Sequence, residues 1–403
     1  MRCLIRDEIL RLHRAYYVLC ALAFLVMLNE QSASPVLPLY AGQLGATEVV
    51  AGAVISSSFL SRMFLEIPAG YLSDRVGYRA PLIAGFLSSA LGAFLSMLAA
   101  DPFHLMVGRV LWGVGLALFF NTSINLVVKM SERGSMGEAM GVFQGIEFLG
   151  GFMGAPIGGM MAAIFGFRMI FAVAAALMLA AAAMSILSKG LSAATSPKGV
   201  RAPRSELETG TWTNAFNAMR NPAFGFVCFT GFLFFSTEIG MLSTIIPIYF
   251  TAALGFDVAA IGLLMGIRFV GLSAGNFLAG RAAKFSGQPR VYVMSLLLLG
   301  TAIVLMPSFP SFEIQAALFM LAGLALGILL PLLPVTVAEV VTPSVRGPAI
   351  GVYRTFFDAG AIVAPILLTW ISVSWGTKAS FYIVTALLFM NALVSLTFRG
   401  KIE

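Results

Sequence analysis

The chain has 403 residues, of which 59% are hydrophobic and 11% are charged, and its mean hydropathy is +0.94. Soluble globular domains carry about 25% charged residues, so this composition argues against a soluble protein with a surface in water. Long apolar runs with brief polar breaks follow one another along the whole sequence. We therefore expect the entire chain to be membrane-embedded.

Twelve apolar segments are each long enough to cross a bilayer, which takes about 20 helical residues. In chain order they are 15–41, 48–73, 79–100, 102–128, 136–164, 167–188, 222–252, 257–283, 289–308, 311–341, 347–373 and 376–398. No small-residue cleavage site follows the first segment, so we expect it to stay in the protein rather than act as a signal peptide. Cys3, Cys20 and Cys228 lack the spacing of metal or disulfide sites.

The basic residues lie mostly on one side of these segments. Of the 25 Lys and Arg residues, 19 fall in the termini and in alternate loops on one side, and only Arg168 and Lys378 fall on the other. This distribution follows the positive-inside rule. It predicts that both termini are cytoplasmic, and that the net charge of +7 orients the chain rather than binding nucleic acid.

One long polar connection, residues 189–221, divides the sequence into two groups of six spans. It is rich in Ser, Thr, Pro and charge, which is typical of a linker, although 205–219 could form a short surface helix. We therefore expect an N-terminal six-helix bundle at 1–188 and a C-terminal six-helix bundle at 222–403.

The two halves show matching features when the numbering is shifted by 210. Leu44-Gly45 matches Leu254-Gly255, Gly52 matches Gly262, Gly70 matches Gly280, Gly77 matches Gly287, and Ala139–Phe143 matches Ala349–Tyr353. A duplicated six-span unit predicts pseudo-symmetric bundles around a central cavity near the bilayer midplane, which is the geometry of alternating access.

Three glycine-containing motifs stand out. The turn between spans 2 and 3 is Gly70-Tyr-Leu-Ser-Asp74-Arg75-Val-Gly77-Tyr-Arg79, span 4 contains Gly108-Arg109-Val-Leu-Trp-Gly113-Val-Gly115, and span 5 contains Gly151-Phe-Met-Gly154-Ala155-Pro156-Ile-Gly158-Gly159. A second copy of the turn, Gly280–Gly287, keeps the glycines but has Lys284 in place of the acid.

These motifs resemble those of the major facilitator superfamily, and the resemblance covers the whole chain. The first is similar to that family's signature between spans 2 and 3, and the second to its span-4 arginine motif. The third is similar to the motif of proton-coupled antiporters, although Ala155 replaces the usual glycine before Pro156. The resemblance implies an all-helical secondary transporter with twelve spans.

The resemblance also implies roles for two of the motifs. Gly70, Asp74, Arg75, Gly77 and Arg79 would form a latch between the halves on the inner side, with Glu339 of span 10 as a candidate partner. An ordinary topogenic loop is the alternative. The small residues Gly151, Gly154, Gly158 and Gly159 would give span 5 a smooth packing face. Pro156 can bend that helix because it removes a backbone hydrogen bond.

Charged residues inside the spans are the candidate proton- and substrate-binding groups, because a charge at the bilayer centre costs about 2.5–3.5 kcal/mol. The acids are Glu30, Glu66, Glu147, Glu238 and Asp358, and the bases are Arg62, Arg109, Arg268 and Arg354. Arg62 with Glu66, and Arg354 with Asp358, share a helix face and could simply neutralise each other.

Glu30 and Glu238 have no base on their own helix and belong to spans that line the cavity in the resembled family. A carboxylate removed from water binds a proton more readily, so either acid could carry a proton across the membrane. We expect Arg109 to pair with one of these acids. A permanently neutral, hydrogen-bonded structural role is the alternative for each acid, and Glu147 is a further candidate.

These features favour a proton-coupled exporter of drug-like or amphipathic molecules. The alternative is a proton-coupled symporter or uniporter of an organic anion or other small nutrient, because four arginines within the spans could hold a carboxylate or phosphate. A membrane enzyme is disfavoured, since the only histidines, His13 and His104, form no metal site with other ligands and no nucleophile–base pair is visible. No phosphate-binding loop of the Walker type is present.

We therefore expect a multi-pass protein of the cell membrane with no metal and no cofactor, driven by the proton gradient. Its partners would be a small-molecule substrate, protons and the lipid bilayer, with no nucleic acid. We expect a monomer.

Overall fold

The computed structural model describes residues 2–130, 136–188, 191, 221–341 and 346–397. Its side chains are described over 14–65, 77–130, 139–188, 191, 221–337, 339–341 and 349–396. All regular secondary structure within these ranges is helical. The predicted linker at 189–221 lies outside the described residues except for Leu191 and Asn221, so the domain boundaries and the surface helix at 205–219 stay predictions.

Twelve helical segments of the described chain are long and apolar enough to cross a membrane, which confirms the predicted number of spans. Span 1 consists of Arg2–Ala33 and Leu37–Gln43, and spans 2 to 6 are Glu48–Val76, Arg79–Leu98, Pro102–Met130, Met136–Phe165 and Phe167–Leu187. Span 7 consists of Pro222–Phe235, a π-helix at Ser236–Ile245, and Ile246–Ala253. Spans 8 to 12 are Val258–Ser286, Gln288–Leu305 with a 3₁₀ turn at Met306–Ser308, Phe312–Val340, Arg346–Trp375 and Thr377–Thr397.

Two details differ from the prediction. Span 1, predicted as one helix over 15–41, is interrupted after Ala33, because Pro35 has no N–H and its ring obstructs a continuing helix. The charged turn between spans 2 and 3 is shorter than predicted, since the helix of span 2 continues to Val76. Gly77, with φ of 83°, makes the turn itself, in a conformation that favours glycine.

The chain divides into two compact units, the first containing Met1–Ala46 and Ser57–Ser205, and the second Thr47–Ser56 and Glu206–Glu403. In the first unit span 1 packs on span 5, and span 3 packs on spans 4 and 6. In the second unit span 7 packs on span 11, span 8 on span 10, and span 9 on spans 10 and 12. The pairings of span 1 with 5, 3 with 4 and 3 with 6 therefore recur as 7 with 11, 9 with 10 and 9 with 12.

The backbone conformation repeats as well. Among the described residues, every residue with positive φ is a glycine, and these are Gly45, Gly77, Gly166, Gly255, Gly287 and Gly376. They form three pairs, each separated by the 210 positions that relate the two halves of the sequence. The third pair, Gly166 with Gly376, is one that the sequence comparison did not pick out. Each pair marks the same inter-helix turn in both units.

One close helix contact is also duplicated. A Cβ atom added at Gly113 of span 4 would lie 2.0 Å from the carbonyl oxygen of Ser58 in span 2. A Cβ atom added at Gly323 of span 10 would lie 2.0 Å from the carbonyl oxygen of Arg268 in span 8. Both residues of the second contact follow those of the first by 210. Positions 58 and 268 are therefore structurally equivalent.

Span 5 approaches span 1 through a row of glycines. Cβ atoms added at Gly150, Gly154 and Gly158 would lie 2.6, 2.3 and 2.0 Å from the carbonyl oxygens of Phe24, Leu28 and Ser32, respectively. These distances leave no room for a side chain, so the two backbones touch at three points along about two helical turns. Small residues allow this kind of packing between membrane helices. The contact fixes the part of span 1 that carries Glu30.

We predict that Gly158→Ala lowers the apparent melting temperature of the purified protein, because the new methyl group would meet the backbone of Ser32 rather than a movable side chain. Overpacking of this kind costs about 1–3 kcal/mol. Gly145→Ala is the matched control in the same helix, since no atom lies within 4 Å of its added Cβ atom. The control should be neutral or stabilising, because Ala favours helix by about 1 kcal/mol over Gly. Equal melting temperatures for both variants would contradict the close contact.

Candidate functional site

The first span of each unit loses regular α-helical geometry close to an acidic residue. In span 1 the helix ends at Ala33, three residues after Glu30, and resumes at Leu37. In span 7 Glu238 lies inside the π-helix Ser236–Ile245. π-Helical turns are rare and occur frequently at functional sites. Both acids therefore stand where the helix is irregular.

Hydroxyl groups reinforce the wide turns of the π-helix. Ser243 Oγ donates to the carbonyl oxygen of Glu238 at 3.0 Å, and Thr244 Oγ1 donates to that of Ile239 at 2.7 Å. Each bond spans five residues, which matches the hydrogen-bond spacing of a π-helix. Pro247, which cannot donate a backbone hydrogen bond, follows in the first turn of the next helix.

In the first unit, Glu30 is held by an arginine and a tryptophan from span 4. Arg109 Nη2 lies 3.4 Å from Glu30 Oε1 and 3.4 Å from Ser58 Oγ of span 2. The indole N–H of Trp112 donates to Glu30 Oε2. Arg109 is 5% exposed and Glu30 is 18% exposed, so the charges are largely removed from solvent. The arrangement compensates the carboxylate with one cation and one neutral donor.

In the second unit, Glu238 forms an ion pair with Arg268 of span 8. The Arg268 side chain is 0% exposed and that of Glu238 is 11% exposed. The guanidinium also lies 4.7 Å from the ring centre of Phe269. Arg268 Nε, Arg268 Nη2 and Glu238 Oε2 have no hydrogen-bond partner in the described part of the chain. The pair thus keeps buried donors and an acceptor that a further polar group could satisfy.

Glu147 of span 5 differs from both of these acids. Its Oε1 is buried and has no hydrogen-bond partner among the residues that the structure describes. It precedes Gly150 by one helical turn, and it lies close enough to interact electrostatically with Cys20 of span 1. Its neighbour in sequence, Ile146, packs against an apolar core that includes Phe143 and Ala23. Glu147 is therefore a carboxyl group inside a span without a compensating cation in the described structure.

The two remaining predicted pairs are not established. The Arg62 guanidinium lies 5.6 Å from the ring centre of Phe59, while the side chain of Glu66 lies outside the described residues. Arg354 is exposed and Asp358 is buried. Whether either pair forms stays a prediction.

The residues of the predicted latch are only partly described. The side chains of Gly70, Asp74 and Arg75 lie outside the described residues. Arg79 Nη2 donates to the carbonyl oxygen of Ile186 at 2.8 Å, which joins span 3 to span 6. Glu339 accepts a hydrogen bond from Gln288 Nε2 at 3.2 Å. The latch itself stays a prediction.

Span 5 continues as one helix through Pro156. Gly154 and Gly158 of the predicted packing face contact span 1, and Gly151 and Gly159 are buried. The sequence reasoning missed Gly150, although its four-residue spacing from Gly154 is a signal for close helix packing.

Two further contributors, Trp112 and Ser58, were missed. Trp112 lies within the span-4 motif, three residues after Arg109, so its position on the same helix face could have been noticed. Nothing in the sequence around Ser58 indicates a contact with Arg109. Its role follows only from the contact between spans 2 and 4 in the folded chain. Within the described residues no group of three or more His, Cys, Asp and Glu side chains could hold a metal ion.

Comparison with known proteins identifies the family to which the chain belongs. The sequence matches the Major Facilitator Superfamily over residues 19–240 and again over residues 228–402. The chain belongs to the Major Facilitator Superfamily. It is a multi-pass membrane transporter rather than an enzyme.

Among similar sequences are proteins named multidrug resistance protein MdtG. The protein of Yersinia enterocolitica is 25% identical over 370 residues, covering 90% of this chain and 87% of the relative. That of Salmonella typhimurium is 26% identical over 375 residues, covering 90% and 89%. The similarity thus extends over nearly the full length of both proteins.

Solved structures share the fold. A bacterial homologue of the human lysosomal transporter Spinster matches with a TM-score of 0.77 at 16% identity, covering 96% of this chain and 98% of that one. A POT family transporter in complex with 5-aminolevulinic acid matches with a TM-score of 0.81 at 15% identity, covering 97% of each. At these identities the likeness concerns the fold alone.

We predict that the ion pair between Glu238 and Arg268 couples the stability of spans 7 and 8. Glu238→Gln or Arg268→Met alone should destabilise the protein by about 3–5 kcal/mol, because each leaves a buried group without its partner. The double variant should recover most of this loss, since no unpaired charge remains. Apparent melting temperatures of the four proteins measure the coupling. Additive losses in the double variant would show that the two side chains do not interact.

Proposed function

We propose that this transporter exports drug-like or amphipathic small molecules across the cell membrane in exchange for protons, by alternating access. The full-length similarity to multidrug resistance proteins from several bacteria supports the export of drugs. The protein family supplies the fold, and the irregular segments of spans 1 and 7 supply places at which the helices can bend.

The buried carboxyl of Glu147 is the observation that supports proton coupling. An uncompensated charge within a membrane span costs about 2.5–3.5 kcal/mol, and binding a proton removes that cost. Glu30 and Glu238 differ because Arg109 and Arg268 already balance their charges. We propose that Glu147 binds the transported proton, and that it is neutral while it faces the apolar core. Cys20 of span 1 lies close enough to interact with both Glu147 and Tyr16.

The ion pairs Glu30–Arg109 and Glu238–Arg268 would then contact the substrate rather than carry the proton. The free donors of Arg268 and the free acceptor of Glu238 can contact polar groups of a bound molecule without a new charge being buried. Glu30, with its greater exposure, can exchange Arg109 for a cationic substrate. In this mechanism the proton site and the substrate contacts are separate side chains.

We predict that Glu147→Gln uncouples transport from protons, because the amide has nearly the shape of a protonated carboxyl but cannot release a proton. The full chain would be reconstituted in liposomes, and an imposed pH gradient would drive movement of the fluorescent cation ethidium. Gradient-driven transport should fall at least tenfold, while exchange of ethidium without a gradient should continue. Coupled transport at the wild-type rate in Glu147→Gln would exclude Glu147 as the proton carrier.

Glu313→Gln is the matched control. Glu313 lies exposed in the first turn of span 10, so its charge stays in contact with water and its removal should leave coupling unchanged. An equal loss in both variants would indicate a general effect of removing negative charge.

The second candidate function is a proton-coupled symporter or uniporter of an organic anion. The unpartnered Nε and Nη2 atoms of the buried Arg268 favour it, since a guanidinium binds carboxylates in a bidentate manner. The direction of proton movement separates the two functions. Ethidium should move against protons in an exporter, whereas an aromatic carboxylate should move with protons in a symporter and without them in a uniporter.

A further inference from the structure

A groove of about 700 Å³ opens where span 8 approaches its end, next to span 10. Its lining residues are Leu278, Arg281, Ala282, Lys284 and Phe285 of span 8, and Leu324 and Ile328 of span 10. The groove lies within the second unit and belongs to neither of the ion-pair clusters described above. Its volume falls in the range of about 300–1,000 Å³ that is typical of ligand sites.

The groove begins where the tight contact between spans 8 and 10 stops. Cβ atoms added at Gly271 and Gly275 would each lie 2.2 Å from a carbonyl oxygen of span 10, so the backbones touch there. One turn further along span 8, an added Cβ atom at Gly280 would have no atom within 4 Å. Five of the seven residues that line the groove are apolar, and Phe285 is 93% exposed.

The other two lining residues are the cations Arg281 and Lys284. Arg281 and Lys284 are three residues apart, which places them on one face of the helix. Both are exposed, and no described acidic residue forms an ion pair with either of them. The Arg281 guanidinium lies 4.8 Å from the ring centre of Phe277. Lys284 occupies the last turn of span 8, where the apolar span meets the following turn at Gly287.

We propose that this groove binds an anionic phospholipid from the leaflet on the basic side of the protein. Its phosphate would contact Arg281 and Lys284, and an acyl chain would lie along Leu278, Leu324 and Ile328. Basic pockets between membrane helices on the cytoplasmic side bind anionic head groups in this way. A water-soluble anion would use the two cations alone, whereas a lipid matches both the charges and the apolar lining.

The proposal also accounts for an asymmetry in the sequence. The groove contains the second copy of the glycine turn, in which Lys284 stands where the first copy has Asp74. An acid at that position would repel a phosphate and neutralise Arg281. Its replacement by lysine makes this copy suitable for an anion.

Native mass spectrometry of the full-length protein in detergent tests the site. The protein would be titrated with phosphatidylglycerol and, separately, with phosphatidylcholine of the same acyl chains. We expect the wild type to retain phosphatidylglycerol more strongly. Arg281→Gln and Lys284→Gln should each weaken this binding about fivefold, since one cation near a membrane surface contributes roughly 1 kcal/mol. The double variant should weaken it about 25-fold.

Arg290→Gln is the matched charge control, because Arg290 is exposed at the start of span 9 but does not line the groove. It should retain phosphatidylglycerol like the wild type. Equal retention of the two lipids by the wild type would overturn the proposal. A loss in Arg290→Gln as large as that in Arg281→Gln would also overturn it, because the attraction would then be a general effect of positive charge.

A second pair of variants tests the apolar part without changing any charge. Leu278→Trp adds bulk at the groove, and Leu263→Trp adds the same bulk at another exposed position of span 8. We expect only Leu278→Trp to weaken phosphatidylglycerol binding, by at least threefold. Unchanged binding in Leu278→Trp would overturn the proposed acyl-chain position. This test decides the proposal even if the charge variants fail to fold.

Discussion

Close contact between helix backbones is the constraint on which the arrangement of this transporter depends. Lipid tails are as apolar as leucine side chains, so burial of apolar surface gives membrane helices little reason to associate. Packing must supply the attraction, and it is strongest where backbones approach. Gly150, Gly154 and Gly158 provide this approach between spans 5 and 1. They thereby fix the position of Glu30, and they place Glu147 one turn away from the same contact.

The charges inside the spans follow from that packing in two different ways. A helix contact that brings a carboxylate and a guanidinium together lowers the cost of burying both, as for Glu238 with Arg268. A helix contact that brings no cation to the acid offers no such compensation, and Glu147 stands beside the glycine contact of spans 5 and 1. Compensated acids can remain charged throughout a transport cycle. In the proposed mechanism, the uncompensated acid takes up and releases the proton.

Much of the fold could be predicted from the sequence, because span length and the offset of 210 are properties of the chain itself. The interruption of span 1 was missed although Pro35 was visible, since hydrophobicity alone does not register a break of three residues. The π-helix in span 7 has no comparable signal. The charged residues of the site could be identified from the sequence, but which of them pair with each other could not. Whether Glu30 meets Arg109 depends on which helices are neighbours, and only the folded unit decides this.

The two units share their turns and helix contacts, but they differ in the charged residues at equivalent positions. The paired glycines at 77 and 287 keep the same turn, and Gly113 and Gly323 keep the same helix contact. At the equivalent positions 58 and 268, however, one unit has serine and the other arginine.

Each unit still forms a glutamate–arginine pair on its first span, but the arginine comes from span 4 in the first unit and from span 8, the counterpart of span 2, in the second. A symmetric scaffold allows both units to bend in the same manner, because equivalent helices meet through equivalent contacts. Two identical sites would respond alike to a proton or a substrate. The charged groups differ, so in the proposed mechanism the first unit responds to the proton through Glu147 while the second keeps its charges paired, and a ligand shifts a conformational equilibrium only through such differential interactions.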